Sequence, residues 1–285
     1  MLPGKGSDGH LRMNPYATSF LLFLYQLSLG GLFALSVTPF FELERGFYKS
    51  TTAVLVFTAV LAFWGQIDLT PVGSGVAYYA ALILLGTFTL FLTFYFILLW
   101  GERGFLRARC YSIALLSGLA GLVVSSLLVT RAPLGVLEIL LLPITSILSA
   151  VLLGAVTVGM LIGHWYLIDT GQSLEPFYRV FKFFVVTLII QAFVQWLAVV
   201  LLYFFGTPET VAALERILND HVFLISARFL VAQAGPLVLS YMIWRTLKDF
   251  RNTMAATGLF YIALLGVFTG ELLSRQIYAL TLLPL

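Results

Sequence analysis

An all-α, polytopic integral membrane protein with eight transmembrane helices, grouped as two four-helix bundles, is the fold this sequence predicts, and three observations predict it. Apolar residues make up 60% of the 285 and charged residues only 10%, with a mean hydropathy of +1.00, which describes a chain whose main solvent is lipid. The apolar residues gather into segments of about twenty, the length that crosses a bilayer as a helix. Each segment is apolar all round, which excludes amphipathic surface helices, and the alternation of a transmembrane barrel is nowhere visible.

In order, the spans cover residues 17–41, 51–67, 76–100, 110–130, 139–167, 181–205, 221–244 and 254–280. Residues 1–16 are polar and rich in glycine and proline, unlike a cleaved signal peptide, and read as an exposed tail before a retained first span, so that 17–285 form the transmembrane domain. Pro143 and Pro236 predict kinks in the fifth and seventh helices. The run Ala150, Gly154, Gly159, Gly163 makes the fifth a close-packing element. Trp64, Trp100, Trp165 and Trp244 fall near span ends and read as interfacial anchors. Glu44-Arg-Gly-Phe47 follows the first span and Glu102-Arg-Gly-Phe105 the third, an echo consistent with duplicated hairpins or with chance.

Basic residues divide the connections by side. Arg45, Lys49, Arg103, Arg107, Arg109, Arg179, Lys182, Arg245, Lys248 and Arg251 lie in odd-numbered connections, whereas the tails and even-numbered connections hold only Lys5, Arg12, Arg131 and Arg216. The positive-inside rule makes the first side cytoplasmic and turns both termini outward. The net charge of +3 is thus a matter of topology and not of nucleic-acid binding.

Two basic residues, Arg228 and Arg275, lie within spans, and Glu271 stands one helical turn from Arg275 in the eighth. Ionisable groups at membrane depth cost roughly 2.5–3.5 kcal/mol on insertion scales, so they pair with one another or line a site or pathway. Gly266 and Gly270 let a neighbouring backbone approach this face. Glu271 lies about seventeen residues along a helix rising from the cytoplasm, roughly 25 Å at the helical rise, and Arg228 about seven residues, roughly 10 Å, below the outer surface. Both reach the outer third of the bilayer. Gln195 of the sixth span arrives within a turn or so of that level, Gln26 of the first lies a little lower, and Gln66 and Asp68 cap the second just above. These residues define an outward-facing polar site, with Arg228, Glu271 and Arg275 as its reactive core and Gln26, Gln195, Gln66 and Asp68 as candidate ligand-binding groups.

Other chemistries find little support. The single cysteine, Cys110, excludes a disulfide framework and an intrinsic iron–sulfur cluster, which takes four thiolates. His10, His164 and His221 are too scattered for a metal cluster. His164 and His221 belong to opposite membrane faces, roughly 30 Å apart, and cannot grip one haem. His164 is either a proton-relay residue or an interfacial one. Gln191 and Gln195, spaced i,i+4, and Gln233 read as interhelical glue, with Gln195 singled out by its depth. No nucleotide loop, HExxH or nucleophile elbow is present.

The first span contains Gln26-Leu-Ser-Leu-Gly-Gly31, and the last contains Gly270-Glu-Leu-Leu-Ser-Arg275 followed by Tyr278. Both stretches resemble the corresponding helices of the membrane-anchor subunit of dimethyl sulfoxide reductase and its wider group, including the polysulfide reductase type of anchor. The middle of the chain is matched by hydropathy alone. The resemblance implies a subunit without prosthetic groups that binds menaquinone or ubiquinone as an exchangeable carrier. It implies a ferredoxin-like iron–sulfur subunit and a molybdopterin catalytic subunit as partners, and the cytoplasmic membrane of a prokaryote as the location. One feature departs from that pattern: no histidine ends the second span, where the sulfoxide reductase anchors carry one at the quinol site, and Gln66 and Asp68 occupy the neighbourhood instead. Two competing functions are a transporter, which predicts polar residues through the full membrane thickness, and a purely structural subunit, in which the charges only hold helices together.

Overall fold

The computed structural model describes residues 15–38, 40, 42–68, 75–128, 135–169, 171 and 173–281. The N-terminal tail with Lys5, His10 and Arg12, and Arg131 between the fourth and fifth spans, lie outside the described residues. Among the described residues, eight stretches of helix are long and apolar enough to cross a membrane. They are α1 (Pro15–Leu35), α2 (Arg45–Asp68), α3 (Val76–Leu98), α4 (Gly104–Leu128), α5 (Val136–Ile168), α6 (Glu175–Phe205), a composite seventh span and a final helix. A short helix, α7 (Pro208–Asp220), precedes the seventh span, which comprises α8 (Val222–Arg228), a π-helical segment (Phe229–Ala234) and α9 (Gly235–Asp249); α10 (Thr253–Thr281) is last.

Several helices outrun their apolar cores. α2, α4 and α6 each begin about six residues before the expected span, so Arg45, Lys49, Arg107, Arg109, Arg179 and Lys182 stand on helix ends rather than in loops. A helix satisfies its own backbone in water as in lipid, and long basic side chains reach the interface from its end turns. Lys49 lies over the Trp100 ring at 4.7 Å and Lys248 over Trp244 at 4.6 Å. Trp165 is different: it packs edge-on against Phe47, 6.3 Å between centroids, and is a core contact more than an anchor. The two Glu-Arg-Gly-Phe stretches also differ in surroundings, since Phe47 is buried and Phe105 exposed.

The helices form two closed rings. α1, α2, α3 and α4 pack in sequence with α1 against α4, and α5, α6, α9 and α10 pack in sequence with α10 against α5. The rings meet along α1 and α5, the two most enclosed spans. Their crossing is a backbone contact: a Cβ on Gly30 would fall 1.6 Å from the Ala150 carbonyl oxygen, and one on Gly154 would fall 1.8 Å from the Gly30 carbonyl carbon. Only glycine permits this approach, and it brings α1 into the polar region of the second ring.

The seventh span breaks its regular hydrogen bonding where Pro236 demands it. Proline has no N–H to donate, and the turn before it slips by one residue, with the Gly235 N–H bonded to the Leu230 carbonyl. The helix continues beyond with Ser240 Oγ donating to the Pro236 carbonyl at 2.7 Å. α7 was not expected as a helix. It is capped by Thr207, whose hydroxyl accepts from the Thr210 N–H, and it buries Leu214 and Ile217. These two residues form a separate apolar cluster with Leu141, Ala198, Leu202 and Ile277.

Candidate functional site

α10 organises the polar region, because Gly270, Glu271, Arg275 and Tyr278 follow one another along adjacent faces of a single helix. The absent side chain at Gly270 admits the π-helical segment: a Cβ there would fall 1.9 Å from the Ala232 Cβ. With the two elements this close, Arg228 Nη1 donates to the Gly270 carbonyl at 2.5 Å. Arg228, 6% exposed, and Glu271, 2% exposed, are thereby brought to one level.

Each charged group is held by a neutral partner. Gln191 Nε2 of α6 donates to Glu271 Oε1 at 2.7 Å and lies 3.4 Å from Ser149 Oγ of α5. Arg275 Nη2 donates to Gln26 Oε1 of α1, and Gln26 Nε2 donates to the Ser146 carbonyl of α5 at 2.9 Å. Gln233 Nε2 of the π-helical segment donates to Gln195 Oε1 of α6. Among the described residues, no guanidinium lies within 4.0 Å of Glu271. The direct carboxylate–guanidinium pairing that the i,i+4 spacing suggests is therefore replaced by amide and carbonyl partners. The physical reason is geometric: sequence spacing fixes depth and face, while Gln26 and Gly270 compete for the same donors at shorter reach.

Gln191, Gln195, Arg228, Gln233 and Glu271 line a common cavity of about 10 Å³, closed on its apolar side by Leu152, Leu188 and Val267. That volume matches about one water molecule. It has no room for a ring-sized ligand. Three buried acceptors around it, Glu271 Oε2, Gln191 Oε1 and Gln233 Oε1, have no hydrogen-bond partner among the described residues. Two buried donors higher on α10, Arg275 Nε and Tyr278 Oη, also have none.

Of the residues singled out from the sequence, Arg228, Glu271, Arg275, Gln26 and Gln195 converge. Gln66 does not join them: its Nε2 donates to Tyr78 Oη of α3 at 2.5 Å, and Asp68 is exposed at the end of α2. His164 lies toward the opposite end of α5, exposed, with Nδ1 3.3 Å from Tyr261 Oη. Gln191 and Gln233 belong to the site itself, a role their i,i+4 and mid-helix positions only hinted at. Glu138 was missed altogether. It stands in the first turn of α5, 4% exposed, with Oε1 accepting from Thr210 Oγ1 of α7 at 2.8 Å and Oε2 without a partner. Its place just before the apolar run made it resemble a loop residue. No group of three or more His, Cys, Asp or Glu among the described residues is placed to hold a metal ion.

The class defined by this fold and site is a multi-pass α-helical membrane protein with a buried, asymmetric polar network. Neither the protein-family models nor the curated proteins contain a match to the chain.

Proposed function

We propose that the chain is a quinone-binding membrane subunit of a multi-subunit respiratory oxidoreductase, which passes electrons between the quinone pool and an iron–sulfur partner. The observation that carries this reading is the state of Glu271. It is a membrane-buried carboxylate with one oxygen on a neutral amide and, among the described residues, no partner for the other oxygen and no cation within 4.0 Å. A structural lock between helices is served by direct ion pairing, whereas a carboxylate with a free oxygen beside a water-sized cavity is suited to take up and release a proton.

Oxidation of a quinol releases two electrons and two protons. Glu271 accepts one proton while the second leaves to the water of the outer face, Gln191 orients the carboxylate, and Arg228, held on the Gly270 carbonyl, keeps positive charge nearby as the carboxylate cycles. Gln26 and Gln195 fix the surrounding geometry, Gln26 through Arg275 and Gln195 through Gln233. The electrons pass to a ferredoxin-like iron–sulfur subunit joined to a molybdopterin catalytic subunit, since this chain carries four thiolates nowhere. The two stretches that resemble the sulfoxide reductase and polysulfide reductase anchors support the same reading. They are bonded to each other through Gln26 and Arg275, 249 residues apart. By the distribution of basic residues, the site lies on the outer side of the membrane, which the resemblance takes to be the cytoplasmic membrane of a prokaryote.

A transporter reading fares less well. Among the described residues, the buried charged side chains are Glu138, Arg228 and Glu271, all in the membrane half where α5 begins and α10 ends. Away from that half the buried polar groups are uncharged: Thr157, Thr187 and Thr257 spend their hydroxyls on their own helix carbonyls, Ser28 donates to the Leu55 carbonyl, and Thr51 and Thr52 have no hydroxyl partner among the described residues. Purification from native membranes, with mass spectrometry of the lipids and proteins retained, tests the proposal. Recovery of a quinone and an iron–sulfur protein supports it, and recovery of the chain alone contradicts it.

A further inference from the structure

The cavity beside Glu271 is lined from α6, the seventh span and α10 by three side chains that each leave one oxygen unpaired. Glu271, Gln191 and Gln233 are 2%, 4% and 8% exposed. Glu271 Oε2, Gln191 Oε1 and Gln233 Oε1 are buried and have no hydrogen-bond partner among the described residues. The other end of each group is already engaged. Gln191 Nε2 donates to Glu271 Oε1, so that amide turns its nitrogen to the carboxylate, and Gln233 Nε2 donates to Gln195 Oε1. The unpaired atoms on these three residues are therefore all acceptors, and an acceptor shut away from water without a donor is destabilising.

Size and charge decide what can meet them. A volume of about 10 Å³ holds one molecule the size of water. Unpaired oxygens call for a hydrogen-bond donor or a cation, and Glu271 repels an anion. Arg228 lines the same cavity, and its positive charge opposes a metal cation beside it. Water is a neutral donor of the right size, and a buried water makes about three hydrogen bonds to otherwise unsatisfied groups.

We propose that this cavity is the binding site of one ordered water molecule, which bridges Glu271 Oε2 to the side-chain oxygens of Gln191 and Gln233. The hydrogen-bond count works in both protonation states of the carboxylate. Beside an ionised Glu271 the water donates to Oε2 and to one amide oxygen. Beside a protonated Glu271 it turns, accepts from the carboxyl O–H and donates to both amide oxygens. The charged groups that act on Glu271 are Arg228 and Arg275, each held by an uncharged oxygen, while α6 faces it with Gln191. A proton is thus taken up or released by turning one small molecule, with the helices left in place. The water site follows from the cavity and its acceptors; its service in proton exchange rests on the proposed function.

The test is a crystal structure of the full chain in a lipidic mesophase, at a resolution that shows ordered water, with a second data set from crystals in which rubidium replaces sodium and potassium. The expected result is a single density peak about 2.5–3.0 Å from Glu271 Oε2 and from at least one of the two amide oxygens, with no anomalous signal from rubidium there. An empty cavity, a direct contact between Glu271 Oε2 and an amide oxygen, or a rubidium peak overturns the water site. Any of these in a chain that retains a quinone overturns the water alone. A water peak in a chain that binds no quinone upholds the site and overturns its service in quinol oxidation.

Discussion

Glu271 is held by Gln191 and not by an arginine: the amide nitrogen lies 2.7 Å from Oε1, and no guanidinium among the described residues comes within 4.0 Å of the carboxylate. The two residues therefore respond differently to substitution. Glu271→Gln leaves an oxygen for Gln191 to donate to, and its thermal unfolding in detergent is expected to stay within about 1 kcal/mol of the wild type. Gln191→Leu leaves the buried carboxylate with neither oxygen bonded to another side chain and is expected to lose about 1–3 kcal/mol or more. Equal stabilities for the two variants would contradict the described geometry.

Arg228 and Gly270 are coupled through backbone proximity. Gly270→Ala drives a methyl into Ala232 and is expected to cost about 1–3 kcal/mol, as overpacking does. Arg228→Met removes the charge-assisted bond to the Gly270 carbonyl, worth about 1.5–3 kcal/mol. Because Gly270→Ala already moves the acceptor, the double variant is expected to fall short of additivity by at least about 0.5 kcal/mol. Full additivity in a double-mutant cycle would show that the two elements are independent.

The joint between the two rings depends on Gly30 and Gly154. Either residue changed to alanine places a Cβ inside the opposing backbone, so α1 and α5 must separate. The expected result is a loss of about 1–3 kcal/mol or more, together with weaker bonding between Gln26 and the Ser146 carbonyl. Faster hydrogen exchange in α1, measured by mass spectrometry, checks it.

Glu138 and Thr210 latch α7 to the start of α5. Thr210→Val leaves the buried carboxylate with no bonded oxygen, and a loss of about 1–3 kcal/mol is expected. Hydrogen exchange is expected to rise in α7 and to stay unchanged in α3 and α4, which do not pack on it.

The spans were legible because hydropathy over about twenty residues reports burial in lipid directly. Depth was legible too: counting residues from the helix ends placed Arg228 and Glu271 at one level, where the structure also has them. Azimuth was not. Which of several donors at one depth reaches Glu271 depends on helix rotation, and that is set by the contacts at Gly154 and Gly270, where spacing alone names no partner. α7 escaped notice because its thirteen residues mix Leu214 and Ile217 with Glu215 and Arg216, a pattern too polar for a span. The π-helical turn leaves only Pro236 as a trace in the sequence. Gln66 and Asp68 were placed by depth alone; α2 carries Gln66 to the α3 side and leaves Asp68 exposed.

The central claim is that Glu271 takes a proton from a quinol. Quinol-dependent electron transfer in native membranes, compared between wild type and Glu271→Gln at equal amounts of the chain, tests it most directly. The account predicts a fall of at least about a hundredfold, in the range for loss of a positioned proton acceptor. An unchanged rate would contradict it.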